Sequence, residues 1–348
     1  MTGIAYHSLR VAELVEETAD ARSIVFEVPD ELRERFAYKP GQFVTLHVPC
    51  ADKPLPRCYS ASSAPALGEA LRVTVKRVAD GRASNWLCGT LKVGDRLDVA
   101  APAGLFTSKS VDGDFLLFAG GSGVTPVYSI LRTVLASGRG RALLVYANRD
   151  ERSVIFAREL ARLAREHPSR LQIVHWLDSV QGITSAAQLG ALCKPWLAQA
   201  REAQAFICGP GPYMDAAAAA LRDIGMAPAQ IHIERFVSLP EDADELPAAV
   251  ADSDAPGARV EVTLDGRTLS LDVPAGQLLI DAFEAAGLQP PYSCRAGACA
   301  ACMCRLEAGE VAMRHNHVLD AHDLDDGWIL ACQAVAISPE VRIRYPDP

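Results

Sequence analysis

Three different hydrophobic patterns follow one another along the chain. Up to about residue 108, short runs in which apolar and polar residues alternate are separated by turn signals, as at 21–28, 42–48 and 71–76. These runs are rich in β-branched and aromatic side chains. Strands of this length and spacing predict an antiparallel β-barrel.

Between residues 115 and 234 the pattern changes to continuously apolar runs followed by segments with helical spacing. Buried strands are predicted at 115–119, 142–146, 171–177 and 205–208, and helices at 126–137, 156–167 and 214–224. Apolar strands that alternate with helices indicate βαβ units, and therefore an α/β domain built on a parallel sheet.

A third pattern begins after residues 238–257, a proline-containing stretch without apolar periodicity that we interpret as a linker. Two β-rich runs at 259–264 and 268–273 flank Asp265-Gly266, a dipeptide that suits a tight hairpin turn. A helix is expected at 277–286. The patterns together predict a multidomain chain, divided at 1–108, 109–237, 238–257 and 258–348.

Composition narrows the possible functions. The chain has 348 residues, of which 49% are hydrophobic, enough for several cores, and its net charge of −9 argues against nucleic acid as a main partner. The first residues show no secretory signal, and the longest uncharged run, 115–131, contains three glycines and a proline. We therefore expect a cytoplasmic protein without a membrane span.

Ten cysteines are present, and four of them have a spacing with chemical meaning. Cys294-x4-Cys299-x2-Cys302 is followed by Cys332 after 29 residues, the plant-type spacing of a [2Fe-2S] cluster. Small residues around Gly297 would let backbone N–H groups approach the sulfur atoms. These four thiols are the predicted metal ligands.

Zinc is the main alternative for this site, although only Cys299 and Cys302 form the Cys-x2-Cys pair typical of zinc sites. His315 and His317 lie between the third and fourth ligands but lack the Cys-x-His pairing of a Rieske centre, so we expect them at the surface. Cys304 is expected to be a packed thiol on the face opposite Cys302.

The spacing of these cysteines is the basis for a resemblance to a known family. Residues 260–345 resemble a plant-type ferredoxin domain of the β-grasp fold, which implies a one-electron carrier. Upstream, Arg57-Cys58-Tyr59-Ser60 resembles the flavin signature of the ferredoxin reductase superfamily. An arginine can clamp a pyrophosphate, a tyrosine ring can stack on the isoalloxazine, and a serine hydroxyl can reach its reactive edge.

Further segments match the same superfamily. The resemblance places a strand containing Val75 and Lys76 and the start of a helix near the flavin phosphates, with Gly81, Ser84 and Asn85 at that start. Phe236, in the segment that resembles the last strand of the family, would close over the flavin. Each of these residues could instead be an ordinary cap or core residue.

Two loops that follow apolar strands resemble the nicotinamide-binding pair of the superfamily. Glycines allow the backbone to approach a pyrophosphate at a helix N-terminus. The predicted nucleotide-binding residues are Gly120, Gly121, Gly123, Thr125 and Pro126 in the first loop and Cys208, Gly209 and Pro210 in the second. The resemblance puts Cys208 and Thr125 near the reacting rings, so Ser60, Thr125 and Cys208 are the candidate catalytic residues.

Asn148 and Arg149 follow the second strand of this region, where the adenosine ribose is expected. Arg149 could bind a 2′-phosphate or simply pair with an acidic neighbour, so NADH and NADPH both remain open on the residues alone. The resemblance favours FAD over FMN and NADH over NADPH.

The order of barrel, nucleotide domain and ferredoxin domain resembles the reductase components of multicomponent oxygenases of the Rieske or di-iron type, including those of steroid and aromatic catabolism. It implies electron transfer from NADH through flavin and a [2Fe-2S] cluster to a terminal oxygenase. Two alternatives are a stand-alone diaphorase and a flavin reductase with a zinc docking module. From residue 258 onward, 13 acidic and 7 basic residues give a net charge of −6, which suggests docking to a basic patch on the oxygenase.

Overall fold

The computed structural model describes residues 5–50, 54–200, 202–236, 257–292, 294–319 and 321–346. Contacts divide the chain into two compact units, one over Tyr6–Phe236 and one C-terminal to it. The predicted linker lies, except for Gly257, outside the described residues. Among the described helices, none is both long and apolar enough to cross a membrane.

The first part of the N-terminal unit is a six-stranded antiparallel sheet with one helix. Its elements are β1 (Tyr6–Thr18), β2 (Ala21–Glu27), β3 (Phe43–Val48), β4 (Leu55–Ser60), β5 (Arg72–Lys76), α1 (Arg82–Gly89) and β6 (Arg96–Ala100). The strand order is β4-β3-β6-β1-β2-β5. An antiparallel bridge between Ala61 and Val73 joins the chain after β4 to β5, so the two ends of the sheet meet. The predicted barrel is confirmed.

Alternation along these strands explains the barrel core. Inward residues such as Ile24, Phe26, Val73 and Val75 are fully buried, and they form one cluster with the apolar residues of β3 and α1. Residues between them face outward, as expected for strands whose side chains alternate between two faces. The pattern of β-rich runs was therefore sufficient to predict this domain.

A parallel five-stranded sheet forms the second part of the unit. Its elements are β7 (Phe115–Gly120), α2 (Val124–Ser137), β8 (Ala142–Asn148), α3 (Ala157–Glu166), β9 (Leu171–Leu177), α4 (Asp178–Gln181), α5 (Ala186–Leu197), β10 (Gln204–Cys208), α6 (Gly211–Asp223) and β11 (Ile231–Glu234). The order is β11-β10-β7-β8-β9. Helices α2 and α3 pack on one face, and α5 and α6 on the other. The predicted α/β domain is confirmed.

The strand order of this sheet fixes where a ligand can bind. From β7 the chain moves outward through β8 and β9, and it then returns to the other side of β7 with β10 and β11. The direction of winding therefore changes between β7 and β10. In open parallel sheets, a crevice forms at the carboxyl ends of the strands at this point.

The C-terminal unit is a mixed sheet with a helix across it. Its elements are β12 (Ala258–Leu264), β13 (Arg267–Val273), α7 (Leu279–Ala285), β14 (Met303–Ala308), β15 (Val311–Met313), α8 (Ala321–Asp325), β16 (Trp328–Leu330), β17 (Ala334–Ala336) and β18 (Glu340–Arg344). The main sheet has the order β13-β12-β18-β14-β16, and β15 pairs with β17. Asp265 and Gly266 have φ values of 51° and 71°, so the predicted hairpin turn is confirmed.

Candidate functional site

The predicted flavin signature lies on β4, which pairs with β3. Alternation puts Arg57 and Tyr59 on one face of the strand and Cys58 and Ser60 on the other. Tyr59 packs partly against the barrel core, where burial raises the pKa of its phenol, and Ser60 is buried. One strand thus presents a cation, an aromatic ring and a hydroxyl within four residues, a set that can recognise a nucleotide cofactor.

The loop between β5 and α1 is shaped by the side chains of Ser84 and Asn85, two of the predicted flavin-binding residues. The Ser84 hydroxyl accepts a hydrogen bond from the Val78 N–H at 3.1 Å, and the Asn85 amide donates to the Gly81 carbonyl at 2.7 Å. Arg77 donates in turn to the Asn85 side-chain oxygen at 3.2 Å. These side chains fold the turn that begins the helix, so the groups left for a phosphate are the backbone N–H groups at its N-terminus.

Lys76 connects the barrel with the first glycine-rich loop. Its neighbour Val75 is fully buried, whereas the Lys76 ammonium lies 3.8 Å from the Asp20 carboxylate. The same ammonium is 3.7 Å from the position that a Cβ on Gly121 would occupy. The structure therefore brings this predicted flavin-binding lysine beside the predicted nicotinamide loop.

The two predicted nucleotide loops pack backbone against backbone at the crevice between β7 and β10. A Cβ on Gly123 would lie 2.2 Å from the Cys208 carbonyl oxygen, and one on Gly120 would lie 2.6 Å from Pro210. A Cβ on Gly209 would lie 2.9 Å from the Gly120 backbone. Only glycine fits these positions, so the spacing of glycines in the sequence reflects this contact.

Tyr146 holds the first loop in place, a role that the residue patterns did not indicate. Its hydroxyl donates to the Gly121 carbonyl at 3.1 Å and accepts from the Ile155 N–H at 3.2 Å. Gly121 has a φ of 51°, a left-handed conformation that favours glycine. A tyrosine within an otherwise aliphatic strand was the only available signal.

Cys208 and Thr125 are both buried at the crevice. The Thr125 hydroxyl donates to the Ser122 carbonyl at 3.1 Å. Burial raises the pKa of the Cys208 thiol well above its usual value, and the neighbouring Glu234 carboxyl raises it further. Burial also raises the pKa of Glu234 to about 8. Phe236, two residues later, is exposed.

The predicted ribose-binding residues lie farther along the same edge of the sheet. Asn148 is buried, and its amide approaches the Tyr146 hydroxyl without forming a hydrogen bond of good geometry to any described residue. Arg149 is exposed and forms an ion pair with Asp150 at 3.3 Å. The Asp150 carboxylate also accepts from the Ser153 N–H at 2.9 Å, which fixes its position.

The four predicted metal ligands meet in the C-terminal unit as two pairs of thiols. The Cys299 sulfur accepts from the Cys294 N–H at 3.4 Å, and the Cys302 and Cys332 thiols are hydrogen-bonded to each other. Among the described residues, no three metal-binding side chains converge on one point. Two pairs suit two tetrahedral irons that share bridging sulfides better than they suit a single zinc ion.

Backbone N–H groups surround these sulfur atoms, as expected for an iron–sulfur site. The Cys294 sulfur accepts from the N–H groups of Ala296 and Ala298 at 3.3 and 3.4 Å. Gly297 has a φ of 69°, and a Cβ there would lie 2.6 Å from the His315 carbonyl oxygen. The residues present therefore fit a cluster with thiolate ligands.

The loop that carries Cys294, Cys299 and Cys302 is held in place by contacts with residues that are distant in the sequence. Arg295 pairs with Asp281 at 2.7 Å and with Glu284, both on α7, and its guanidinium lies over the Tyr292 ring. The Gln333 amide donates to the Arg295 carbonyl at 2.6 Å. Sequence analysis missed these contacts because they join three separate segments.

Cys304 and His315 differ in position from what the sequence predicted. Cys304 is a packed thiol, but the face assigned to it was wrong, because its side chain lies in the same core cluster as Cys302 and Cys332. Alternate residues of an extended chain share a face, so residues two apart point the same way. His317 is exposed as expected, whereas His315 is partly buried and stacks on it at 6.1 Å between ring centroids.

Family comparisons agree with this geometry for all three domains. The oxidoreductase FAD-binding domain matches residues 8–107, the oxidoreductase NAD-binding domain matches 117–219, and the 2Fe-2S iron–sulfur cluster binding domain matches 262–336. The chain is therefore an oxidoreductase with sites for FAD, a nicotinamide nucleotide and a [2Fe-2S] cluster. The zinc alternative is not supported.

Similar proteins cover nearly the whole chain. The ferredoxin reductase component of 3-ketosteroid-9-alpha-monooxygenase from Rhodococcus rhodochrous is 51% identical over 97% of this chain and 96% of its own length. One component of the 1,2-phenylacetyl-CoA epoxidase from Escherichia coli is 34% identical over 98% of each chain. The reductase subunit of glycine betaine monooxygenase from Pseudomonas aeruginosa is 34% identical over 94% of this chain and 93% of its own.

Solved structures share the fold. Phthalate dioxygenase reductase matches with a TM-score of 0.59 and 23% identity over 98% of each chain. An intact type IV self-sufficient cytochrome P450 monooxygenase matches with a TM-score of 0.65 and 24% identity, over 97% of this chain and 41% of the longer one. With relatives of 34–51% identity along nearly its full length, the chain belongs to the family of flavin- and iron–sulfur-containing reductase components of multicomponent oxygenases.

Proposed function

We propose that this chain transfers electrons from NADH to the terminal oxygenase of a 3-ketosteroid 9α-monooxygenase. The observation that carries the proposal is the 51% identity, along nearly the full length of both chains, with the reductase component of that name, against 34% with the phenylacetyl-CoA and glycine betaine relatives. FAD, when bound, accepts two electrons as a hydride and releases them one at a time. This chemistry is needed because NADH donates two electrons together, whereas a [2Fe-2S] cluster accepts only one.

Three segments of the barrel are proposed to hold FAD. Arg57 binds the pyrophosphate, the Tyr59 ring stacks on the isoalloxazine, and the Ser60 hydroxyl faces its reactive edge, with Cys58 between them. The α1 N-terminus at Gly81, shaped by Ser84 and Asn85, receives a phosphate through its backbone N–H groups. Val75 anchors the strand that carries Lys76, and Phe236 closes over the flavin. Burial of Ser60 and the partial burial of Tyr59 support this arrangement.

The glycine loops are proposed to hold the dinucleotide. The backbone at Gly120, Gly121 and Gly123 approaches the pyrophosphate at the start of α2, beside the Lys76 ammonium. Cys208 and Thr125 form the walls at the nicotinamide, with Pro126, Gly209 and Pro210 shaping the loops. Asn148 meets the ribose, and its buried amide lacks a partner among the described residues.

NADH is the proposed donor. The Arg149 guanidinium, which could bind a 2′-phosphate, is paired with Asp150, and the Asp150 carboxylate is fixed by the Ser153 N–H. A phosphate on the ribose would meet this carboxylate as a like charge. We expect kcat/KM for NADH to exceed that for NADPH at least tenfold, and equal values would contradict the assignment.

Cys294, Cys299, Cys302 and Cys332 are the proposed cluster ligands, divided as the two thiol pairs described above. The domain limits 1–108, 109–237, 238–257 and 258–348 enclose all three family matches, which supports them. None of the ten cysteines, all of which lie in the described ranges, is joined in a disulfide, in keeping with the proposed location in the reducing cytoplasm.

An anaerobic titration with NADH tests the electron path. Bleaching of both the flavin and the iron–sulfur bands, with uptake of about three electrons per chain, is expected. Bleaching of flavin alone would contradict the ligand assignment.

Reconstitution with a 3-ketosteroid oxygenase and, in parallel, with a phenylacetyl-CoA epoxidase core tests the partner. Faster product formation in the steroid system is expected, and the reverse order, or NADH consumption independent of any partner, would overturn the proposal.

A further inference from the structure

Tyr345 is a buried tyrosine beside the proposed cluster ligands, and the reaction described so far does not use it. It directly follows β18, which pairs antiparallel with β14 so that Arg344 lies opposite Arg305. The next step of this register puts Tyr345 next to Cys304, with Cβ atoms of such neighbours about 5 Å apart. Tyr345 is 3% exposed and Cys304 is 0% exposed.

The surroundings hold the Tyr345 ring in one position. Its backbone N–H donates to the Thr263 carbonyl at 2.9 Å, and its ring makes an edge contact with Phe283 at 6.4 Å between centroids. The hydroxyl approaches the Cys304 sulfur, but it forms no hydrogen bond of good geometry with any described residue. Because a buried O–H without an acceptor is destabilising, phenylalanine would serve better if this position only filled space in the core.

Tyr345 belongs to the same core cluster of buried residues as the proposed ligands Cys302 and Cys332, whose sulfur atoms would be acceptors once iron is bound. Cys304 lies in this cluster as well, and the Ala331 N–H donates to the Cys302 carbonyl at 3.2 Å. Thiolates bound to iron carry negative charge and accept hydrogen bonds, whereas neutral thiols accept them weakly. A tyrosine phenol keeps its proton at neutral pH, so the Tyr345 hydroxyl is available as a hydrogen-bond donor.

We propose that the Tyr345 hydroxyl, positioned against the Cys304 thiol, sets the reduction potential of the cluster by directing its O–H dipole at the ligand sulfurs. Reduction adds one negative charge to the cluster. Donors directed at the sulfur atoms stabilise that charge and raise the potential, which favours electron flow from the flavin to the cluster. This inference rests on the proposed assignment of the four cysteines as ligands.

The test is the potential of the cluster in the full-length holoprotein, measured by anaerobic spectroelectrochemistry. Tyr345→Phe is expected to make reduction about tenfold less favourable, a shift of about 59 mV to lower potential for a one-electron couple. Tyr38→Phe is the control, because it removes a partly buried tyrosine hydroxyl in the other unit, where Tyr38 is hydrogen-bonded to Ser63 at 2.6 Å. The control should leave the cluster potential unchanged.

A second variant keeps the test decisive if Tyr345→Phe does not assemble. Cys304→Ala removes the thiol against which the hydroxyl is positioned, and it should lower the potential in the same direction and alter the electron paramagnetic resonance signal of the reduced cluster. A loaded cluster whose potential is unchanged or higher in either variant overturns the inference alone. A wild-type protein without a two-iron cluster overturns the ligand assignment instead, so the two failures are distinguishable.

Discussion

Cys208 and Glu234 stand directly opposite each other on neighbouring parallel strands, at the carboxyl edge of the nucleotide-binding sheet. The thiol is fully buried, and burial raises the pKa of the carboxyl to about 8. Glu234 therefore holds a proton at neutral pH, so no negative charge stands beside the thiol at the proposed nicotinamide position. Because the carboxyl and the thiol are both neutral, they do not repel the dinucleotide, which is an anion.

Replacing Glu234 with Gln is expected to flatten the pH dependence of stability between about pH 4.5 and 8. The folded protein keeps this proton up to about pH 8, whereas the ordinary value is 4.5. The unfolded chain binds fewer protons in that interval, so the wild-type free energy of unfolding falls as the pH rises. Since Glu234 is only partly shielded from solvent, we expect a relative gain for the variant of about 1 kcal/mol at pH 8 over pH 5.

Thermal unfolding of both holoproteins at several pH values within that interval measures this effect. The difference in Tm should move in favour of E234Q toward alkaline pH. A constant difference would show that Glu234 has an ordinary pKa in the folded protein.

Gly123→Ala is expected to damage the nucleotide crevice, because its Cβ would lie 2.2 Å from the Cys208 carbonyl oxygen. Forcing the two loops apart should cost about 1–3 kcal/mol of stability and raise KM for NADH about tenfold. Gly211→Ala is the matched control, since nothing lies within 4 Å of the added Cβ and the residue is in the first turn of α6. Steady-state kinetics that show equal KM values for the two variants would refute the close-packing argument.

Arg132→Ala is expected to destabilise the N-terminal unit by about 3 kcal/mol. The guanidinium is almost completely buried and binds Glu69 through two hydrogen bonds, one of them at 2.6 Å, joining α2 to the chain that leads into β5. Its loss leaves the Glu69 carboxylate, which is 32% exposed, without its arginine partner. Arg162→Ala, which removes an exposed pair with Glu166, should cost less than about 0.5 kcal/mol. Chemical denaturation that gives similar losses for both would be inconsistent with this prediction.

Electron transfer to the oxygenase is expected to slow as ionic strength rises. Residues from 258 onward carry a net charge of −6, and complementary charge mainly accelerates encounter. Stopped-flow rates should fall several-fold between about 20 and 200 mM salt. Flavin reduction by NADH within the same protein is the control for general salt effects. A partner rate that stays constant or rises would rule out electrostatic steering.

The features that could be predicted from the sequence are local ones. Cys294, Cys299 and Cys302 belong to one short segment, and the glycines at 120–123 follow directly after a strand. The spacing of these residues was therefore enough to predict the kind of site they would form. The Asp265-Gly266 turn was predictable for the same reason. Backbone conformation and ligand spacing in such segments depend on residues a few positions apart.

Features that depend on packing between distant segments could not be predicted. Tyr146 reaches Gly121 only because β8 lies beside β7, and Gln333 reaches Arg295 only after the C-terminal sheet has formed. Ser84 was predicted to lie at the helix start near the flavin phosphates, but its hydrogen bond from the Val78 N–H within the turn before α1 could not be predicted. The face of Cys304 could have been predicted, since alternate strand residues share a face.

If Cys332 and the other three proposed ligands hold the cluster, their separation in the sequence would make it a covalent cross-link as well as an electron carrier. Iron bound to Cys302 and Cys332 would close the chain of 29 residues between them, much as a disulfide closes a loop in a secreted protein. Metal binding then contributes directly to folding of the C-terminal unit. Iron supply during synthesis would decide how much of this unit matures, and oxidative loss of iron would open the loop and expose the chain to proteolysis.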